Sequence, residues 1–230
     1  MAGKIATIET AIANIGDGDT VMVGGFGVPG TPFCLIDELL RQGQKKLTLI
    51  KNDANENDMG VDRLLQDGQI DRLIVSHIGL NTNAINLMNT GELEVELCPQ
   101  GILAERIRCA GVGLFGFLTD IGIGTVLAEG KPRYEIDGQQ LLLERPLKAD
   151  FALLHAHKAD PLGNLVYAAA AQNFSPLMAL AAHKVIVEIE NLVGAGDLQP
   201  ESIHTPSPFV DMLVDLPELT EEYSVRCRQR

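Results

Sequence analysis

The residues best placed to do chemistry lie in a short glycine-rich turn. Thr20–Val23 (TVMV) runs into Gly24, Gly25, Phe26, Gly27, Val28, Pro29 and Gly30. Residues without side chains let a ligand touch the backbone. Thr31 follows as an N-cap and Pro32 as the first helical residue. Backbone N–H groups and a helix dipole there favour an anion, such as a phosphate or a thioester oxygen gaining charge. The spacing Gly25-x-Gly27-x-x-Gly30 also satisfies the dinucleotide fingerprint, with Asp53 about 20–25 residues on as a ribose-binding acid. Pro29 before the third glycine and the bulk of Phe26 speak against that reading. Three readings stay open on the residues alone: a tight turn without a ligand, a nucleotide cofactor, or another anion.

Other candidate groups are fewer. His155 and His157 stand two apart on an expected strand and share a face, read as satisfied side chains rather than metal ligands. His77 falls at a strand end. Glu190-Asn191 offers a carboxylate that resembles a nucleophile, but it reads as a solvated loop acid. Glu105 reads as a structural partner of Arg106 or Arg108. Cys34, Cys98, Cys109 and Cys227 form no Cys-x-x-Cys pair, and reduced thiols are expected rather than zinc ligands or disulfides. No metal is expected.

These groups need elements to hold them. Strands are expected at Thr20–Val23, Leu47–Ile50, Leu73–Val75 and Leu93–Leu97, the last alternating as an edge strand does. Helices are expected between them. One runs from Pro32 through the stripe Leu35, Ile36, Leu39 and Leu40 to a stop at Gly43. The others cover Val61–Leu65 and Thr82–Met88. Strand, helix, strand at this spacing predicts an α/β fold. The sheet is expected to be open and mainly parallel, with helices on both faces. Asn52 and Gln100 then fall at the carboxyl ends of strands, where such sheets bind ligands. Gly111–Gly124 reads as a loop that turns tightly or meets another chain. Arg133–Ile136 and Leu141–Leu143, joined by Asp137-Gly138, read as a small β-hairpin region in the second half. Phe151–Leu154 is a further strand and Asp160–Asn164 a turn. Pro176–Ala182 reads as a helix and Val185–Glu188 as the final strand. Residues 1–230 read as one domain, with an acidic tail at about 216–230.

Composition narrows the function classes. The 230 residues carry 18 Lys and Arg against 31 Asp and Glu, a net charge of −13, with 46% apolar residues. That balance argues against nucleic acid, whose phosphates need a basic face. With no Trp and 4% aromatic residues, a base-stacking platform is not expected either. No apolar run reaches membrane-spanning or signal-peptide length, so no membrane partner is expected and a cytoplasmic location is.

A longer pattern adds a resemblance. Asp17-Gly18, Val21-Met22-Val23, Gly24-Gly25-Phe26, Gly30 and Pro32 fill every fixed place of a signature similar to that of family I CoA-transferases. Lys51-Asn52-Asp53-Ala54, Ser76-His77-Ile78-Gly79-x-Asn81 and Pro99-Gln100-Gly101 continue it. So do Gly113-x-x-Gly116-Phe117-Leu118-Thr119, Gly122-x-Gly124-Thr125, His157-Lys158-Ala159-Asp160 and Asn173-Phe174-x-Pro176. The likeness spans about residues 5 to 210 and resembles the alpha subunit. Ser76-His77-Ile78-Gly79 is closer to the acetate/acetoacetate branch than to the 3-oxoadipate branch.

The resemblance implies a ping-pong exchange of CoA between carboxylic acids through a glutamyl-CoA thioester. It implies that the nucleophilic glutamate sits in a Glu-Asn-Gly motif of a beta subunit. Leu192 stands where that motif has glycine, so no nucleophile is assigned to this chain. It further implies acyl-CoA and short-chain carboxylates as substrates, Gly24–Gly30 as the CoA-binding loop, and an α2β2 heterotetramer. Asn52 and Gln100 would be supporting amides, able to hydrogen-bond a carboxylate or carbonyl without neutralising the attacking glutamate. The plainer reading of both is a loop-capping amide. The competing classes are an NAD-dependent oxidoreductase using the glycine fingerprint and a non-enzymatic CoA- or nucleotide-binding regulator.

Overall fold

The computed structural model describes residues 3–216 and 218. Helix α1 (Ile8–Ile12) leads to β1 (Thr20–Val23), α2 (Phe33–Gln42), β2 (Leu47–Ile50) and α3 (Val61–Gln66). Then come β3 (Ile70–Val75), α4 (Thr82–Thr90), β4 (Glu94–Leu97) and α5 (Gln100–Gly111). The second half holds β5 (Phe117–Thr119), β6 (Arg133–Ile136), β7 (Gln139–Glu144), β8 (Ala149–Ala156), β9 (Lys158–Ala159) and β10 (Leu165–Val166). It ends with α6 (Ser175–Ala181), β11 (Ala182–Ile189) and β12 (Met212–Asp215).

Seven of these strands form one sheet in the order β12-β11-β8-β1-β2-β3-β4, and every pairing in it is parallel. Parallel pairs need crossovers, and the helices that supply them cover both faces. Side-chain alternation divides the core accordingly. Val21 and Val23 of β1 pack with Leu35, Ile36 and Leu39 of α2, while Met22 packs on the opposite face with Leu103 of α5 and Met178 of α6. Strand β4 is the edge, as its alternation predicts, and its outer residues are exposed. Because all seven strands run the same way, the segments that follow them gather at one edge of the sheet.

The structure moves several expected boundaries. Helix α2 starts at Phe33 with Pro32 at its N-cap, one residue later than the Thr31 reading, and stops at left-handed Gly43 as expected. Gly111–Gly124 is more than a loop. Residue Gly111 ends α5, and Phe117–Thr119 pairs antiparallel with β7 beside the β6–β7 hairpin. The backbone at Gly116 comes so close to β7 that a Cβ would sit 2.3 Å from the Glu144 carbonyl. Strand β11 is not the last: β12 pairs with it from Ile186↔Met212 onward. The expected acidic tail lies almost wholly outside the described residues.

Candidate functional site

The glycine turn leaves β1 through Gly24, whose N–H donates to Leu153 O of β8 at 2.9 Å. It then closes on itself: Phe26 N donates to Pro29 O and Thr31 N to Val28 O, each at 3.1 Å. The Thr31 hydroxyl donates to Gly27 O at 2.6 Å and Asn173 Nδ2 to Pro29 O at 2.9 Å. Two glycines of this turn serve different needs. Gly25 has φ +102°, and a Cβ there would lie 2.3 Å from Thr31 Oγ1, so glycine is required by the turn's own packing. Gly27 has φ +58° with nothing within 4 Å of a Cβ, so the space beside it is open, while its own N–H and C=O are taken by Asp53 and by Thr31 and Asn55. Phe26 projects outward at 46% exposure.

Phe26, Gly27 and Val28 line a cleft of about 90 Å3 together with Glu56, His77 and Leu80. Ligand pockets usually hold roughly 300–1,000 Å3, so this cleft takes one small portion of a ligand rather than a dinucleotide. On its other side Phe26 borders a second cavity of about 250 Å3 with Gln100, Ala104 and Leu177.

Beneath the turn, the segment after β2 carries Lys51, Asn52 and Asp53, all buried. The Asp53 carboxylate accepts from Gly27 N at 2.8 Å, Asn52 Nδ2 at 3.0 Å, Asn55 N at 2.9 Å and Lys51 Nζ at 3.3 Å. Burial would raise its pKa, but Lys51 and the three other donors together hold it below the ordinary carboxylate value. The same burial pushes the Lys51 ammonium below its ordinary value, against the pull of Asp53. Asp53 is therefore the internal anchor of the glycine turn, and the ribose-binding role considered for it does not fit. Asn52 is fully buried. Its Oδ1 accepts from Gln100 Nε2 at 2.8 Å and from Ser76 Oγ at 3.0 Å. The two sequence-selected amides are thus brought together, with Gln100 exposed at the α5 N-terminus and Asn52 below it.

The helix dipole expected to receive a ligand anion already faces a carboxylate of the chain. Leu35 N, in the first turn of α2, donates to Glu188 Oε2 at 2.9 Å. Glu188 Oε1 meets His155 Nδ1 at 2.8 Å, and His155 Nε2 meets Glu190 Oε1 at 2.8 Å. Glu190 Oε2 then reaches His157 Nδ1 at 2.7 Å. Glu190 is consequently no solvated loop acid; two imidazoles hold it. Burial would lower the His155 pKa, but hydrogen bonds to Glu188 and Glu190 outweigh it and raise the value. Burial raises that of Glu188 against the pull of His155 and the Leu35 N–H. Sequence reasoning noticed the His-x-His spacing and missed its complement. Glu188 and Glu190 have the same two-residue spacing, and β8 pairs with β11 in the register His155↔Glu188. Glu105 pairs with Arg108 at 2.9 Å, as one of its two expected partners.

At one sheet edge the chain thus assembles an open glycine turn, a small cleft and an exposed amide, with charged groups buried below. Such a site can seat a carbonyl or thioester and hydrogen-bond its oxygen. Among the described residues no group of three or more His, Cys, Asp and Glu is placed to hold a metal ion.

Comparison with known proteins finds CoA-transferase subunits among the relatives of this chain. The acetate CoA-transferase subunit alpha of Escherichia coli (strain K12) is 48% identical over 214 residues, covering 93% of this chain and 97% of that one. The acetoacetyl-CoA:acetate/butyrate CoA transferase alpha subunit of Clostridium acetobutylicum is 43% identical over 94% of this chain and 100% of its own length. Among solved structures, an acyl-CoA transferase from E. coli O157:H7, in a thioester complex with CoA, shares the fold at TM-score 0.85 and 23% identity. That match covers 95% of this chain, which spans about half (48%) of the longer chain. The glutaconate coenzyme A-transferase of Acidaminococcus fermentans superposes at TM-score 0.83 with 21% identity, over 93% of this chain and 76% of its own. The family model for coenzyme A transferase matches residues 5–216, and the chain belongs to that family.

Proposed function

We propose that this chain is the alpha subunit of a CoA-transferase that exchanges CoA between short-chain carboxylic acids such as acetate, butyrate and acetoacetate. The observation that carries the reading is the position of Phe26. It borders both the cleft over Gly27 and the cavity containing Gln100. A thioester seated on the open part of Gly24–Gly30 then has the Gln100 amide beside it. Asn52 acts through Gln100, as a positioning residue. The small cleft favours a short acyl group, and the relatives named for acetate and acetate/butyrate support that substrate class.

The attacking glutamate belongs to a beta subunit in this reading. Asp53 is engaged by four donors and Glu190 by two imidazoles, which leaves neither poised for attack. Glu56, exposed at the cleft, is this chain's own alternative. The apolar side chains of Leu114, Phe115, Ile121, Ile123 and Val126 stand exposed around the three-stranded sheet. A patch of this kind suits a partner surface, and the alpha-subunit names of the relatives support a beta subunit as its occupant. An α2β2 assembly in the cytoplasm completes the reading; among the described residues no helix is long and apolar enough to cross a membrane.

Mass spectrometry of the reconstituted complex, given acyl-CoA without an acceptor, tests the division of labour. The CoA thioester is expected on a partner glutamate. An adduct on Glu56 would place the nucleophile in this chain instead.

A further inference from the structure

The chain Glu188–His155–Glu190–His157 has no part in the chemistry described so far, and its construction is specific. A neutral imidazole has one N–H and one lone pair, whereas ionised carboxylates only accept. Both nitrogens of His155 meet carboxylate oxygens at 2.8 Å. Both contacts are hydrogen bonds only if the cluster holds one proton more than neutral imidazole with two carboxylates. His155 is 1% exposed and Glu188 0%, so that proton is shielded from water. At the other end His157 has a 37% exposed side chain, giving the series an outlet to solvent.

The inner end is attached to the site. Glu188 takes the Leu35 N–H at the start of α2, five residues after Gly30 ends the glycine turn. His155 and Glu188 share the sheet face of Leu153 and Ile186, which α2 covers. From α2, Asp37 also faces Glu188 and is itself paired with Arg63 of α3 at 2.7 Å. The groups paired with Glu188 and Glu190 include the imidazoles of His155 and His157.

We propose that this buried series is a positioning device for the glycine turn: the proton on His155 keeps Glu188 in place on the α2 N-terminus, and its loss loosens the turn and weakens acyl-CoA binding. The last step rests on the reading of the turn as the acyl-CoA site; the first does not. Removal of a charged N-terminal anchor weakens a helix start by a factor of about ten, and the turn is the segment that feels it.

Two readouts on the complex with its partner subunit separate the steps. Amide hydrogen exchange, corrected for intrinsic rates, is followed at Leu35 and across Gly24–Thr31 from acid to alkaline pH without substrate. In the wild type, protection is expected to drop as pH rises, while His155→Gln shows about tenfold less protection at low pH and little pH response. Glu190→Gln, an isosteric change nearer the surface, is expected to shift the wild-type profile to lower pH. KM for acyl-CoA is then measured in the same variants. It should rise about tenfold in His155→Gln at low pH, with kcat within about twofold. Unchanged exchange in His155→Gln and Glu190→Gln overturns the positioning device, whether or not the complex is active. Altered exchange with unchanged KM overturns the link to the substrate. A fall in kcat with KM unchanged would instead make the series part of the chemical step, and overturn the proposal as stated.

Discussion

Two buried charge clusters flank the same glycine turn, and they are built on opposite principles. Under the turn, Asp53 is surrounded by donors: one ammonium, two backbone N–H groups and one amide. Nothing in that set needs to gain a proton near neutrality, and the carboxyl pKa is held low. Beside the turn, Glu188 and Glu190 face imidazoles, and the pKa values of Glu188 and His155 are both raised. In the first cluster the Asp53 carboxylate that anchors Gly27 keeps its charge to lower pH than an ordinary carboxylate. The second depends on a proton that His155 holds more tightly than a free imidazole does, because two carboxylates face it. A carboxylate among hydrogen-bond donors is a fixed anchor; a carboxylate paired with histidine is an adjustable one.

The largest effects should come from breaking the fixed anchor. Asp53→Ala leaves the buried Lys51 ammonium without its counter-charge and frees the Gly27 and Asn55 N–H groups. Chemical denaturation should show a loss of about 3–5 kcal/mol. Lys51→Met should cost clearly less, because Asp53 keeps three donors; an equal loss would mean that the ion pair, not the backbone, holds the turn. Next in size is Gly25→Ala, which drives a Cβ into Thr31 and should cost about 1–3 kcal/mol from overpacking, beyond its left-handed φ. Gly27→Ala meets open space and should cost only about 1–2 kcal/mol, with its main effect on KM for acyl-CoA.

The adjustable anchor should reveal itself by pH. His155 has a raised folded-state pKa, so its contribution is complete below its ordinary value and is lost as pH rises through the raised one. Glu188, also raised, acts with the same sign. The stability advantage of wild type over His155→Gln should therefore be largest below about pH 6.5 and fade above it. Asp53, with its lowered value, behaves oppositely: its contribution is present above the ordinary carboxylate range and is lost as pH falls through the lowered value. Parallel pH profiles for the two clusters would remove the contrast. The smallest effect belongs to the surface pair of Lys45 and Asp67, 2.8 Å apart with side chains 44% and 51% exposed. Asp67→Asn should change stability by no more than about 1 kcal/mol, less at high salt.

Much of this arrangement was legible in the residues. The order of strands and helices through β4 followed from apolar runs separated by capped helices, and the edge position of β4 from its alternation. The glycine turn, Asn52 and Gln100 were placed correctly at the carboxyl edge, because a parallel sheet puts its functional loops there. Other features were not legible because they depend on pairing between distant segments. Periodicity in Phe117–Thr119 or Met212–Asp215 is too short to read until β7 and β11 offer partners. Glu190 looked solvated because its two histidines lie more than thirty positions earlier and meet it only through the register of β8 and β11. Gly25 looked like an opening for a ligand, yet its glycine is required by Thr31 across the turn.

The central claim is that this chain holds acyl-CoA while a partner subunit supplies the nucleophile. Its most direct test is CoA transfer from acetoacetyl-CoA to acetate, measured with the chain alone and then with its beta partner. The account predicts no turnover from the chain alone, full turnover on addition of the partner, and a raised KM for acyl-CoA in Gly27→Ala. Comparable turnover by the isolated chain would contradict it.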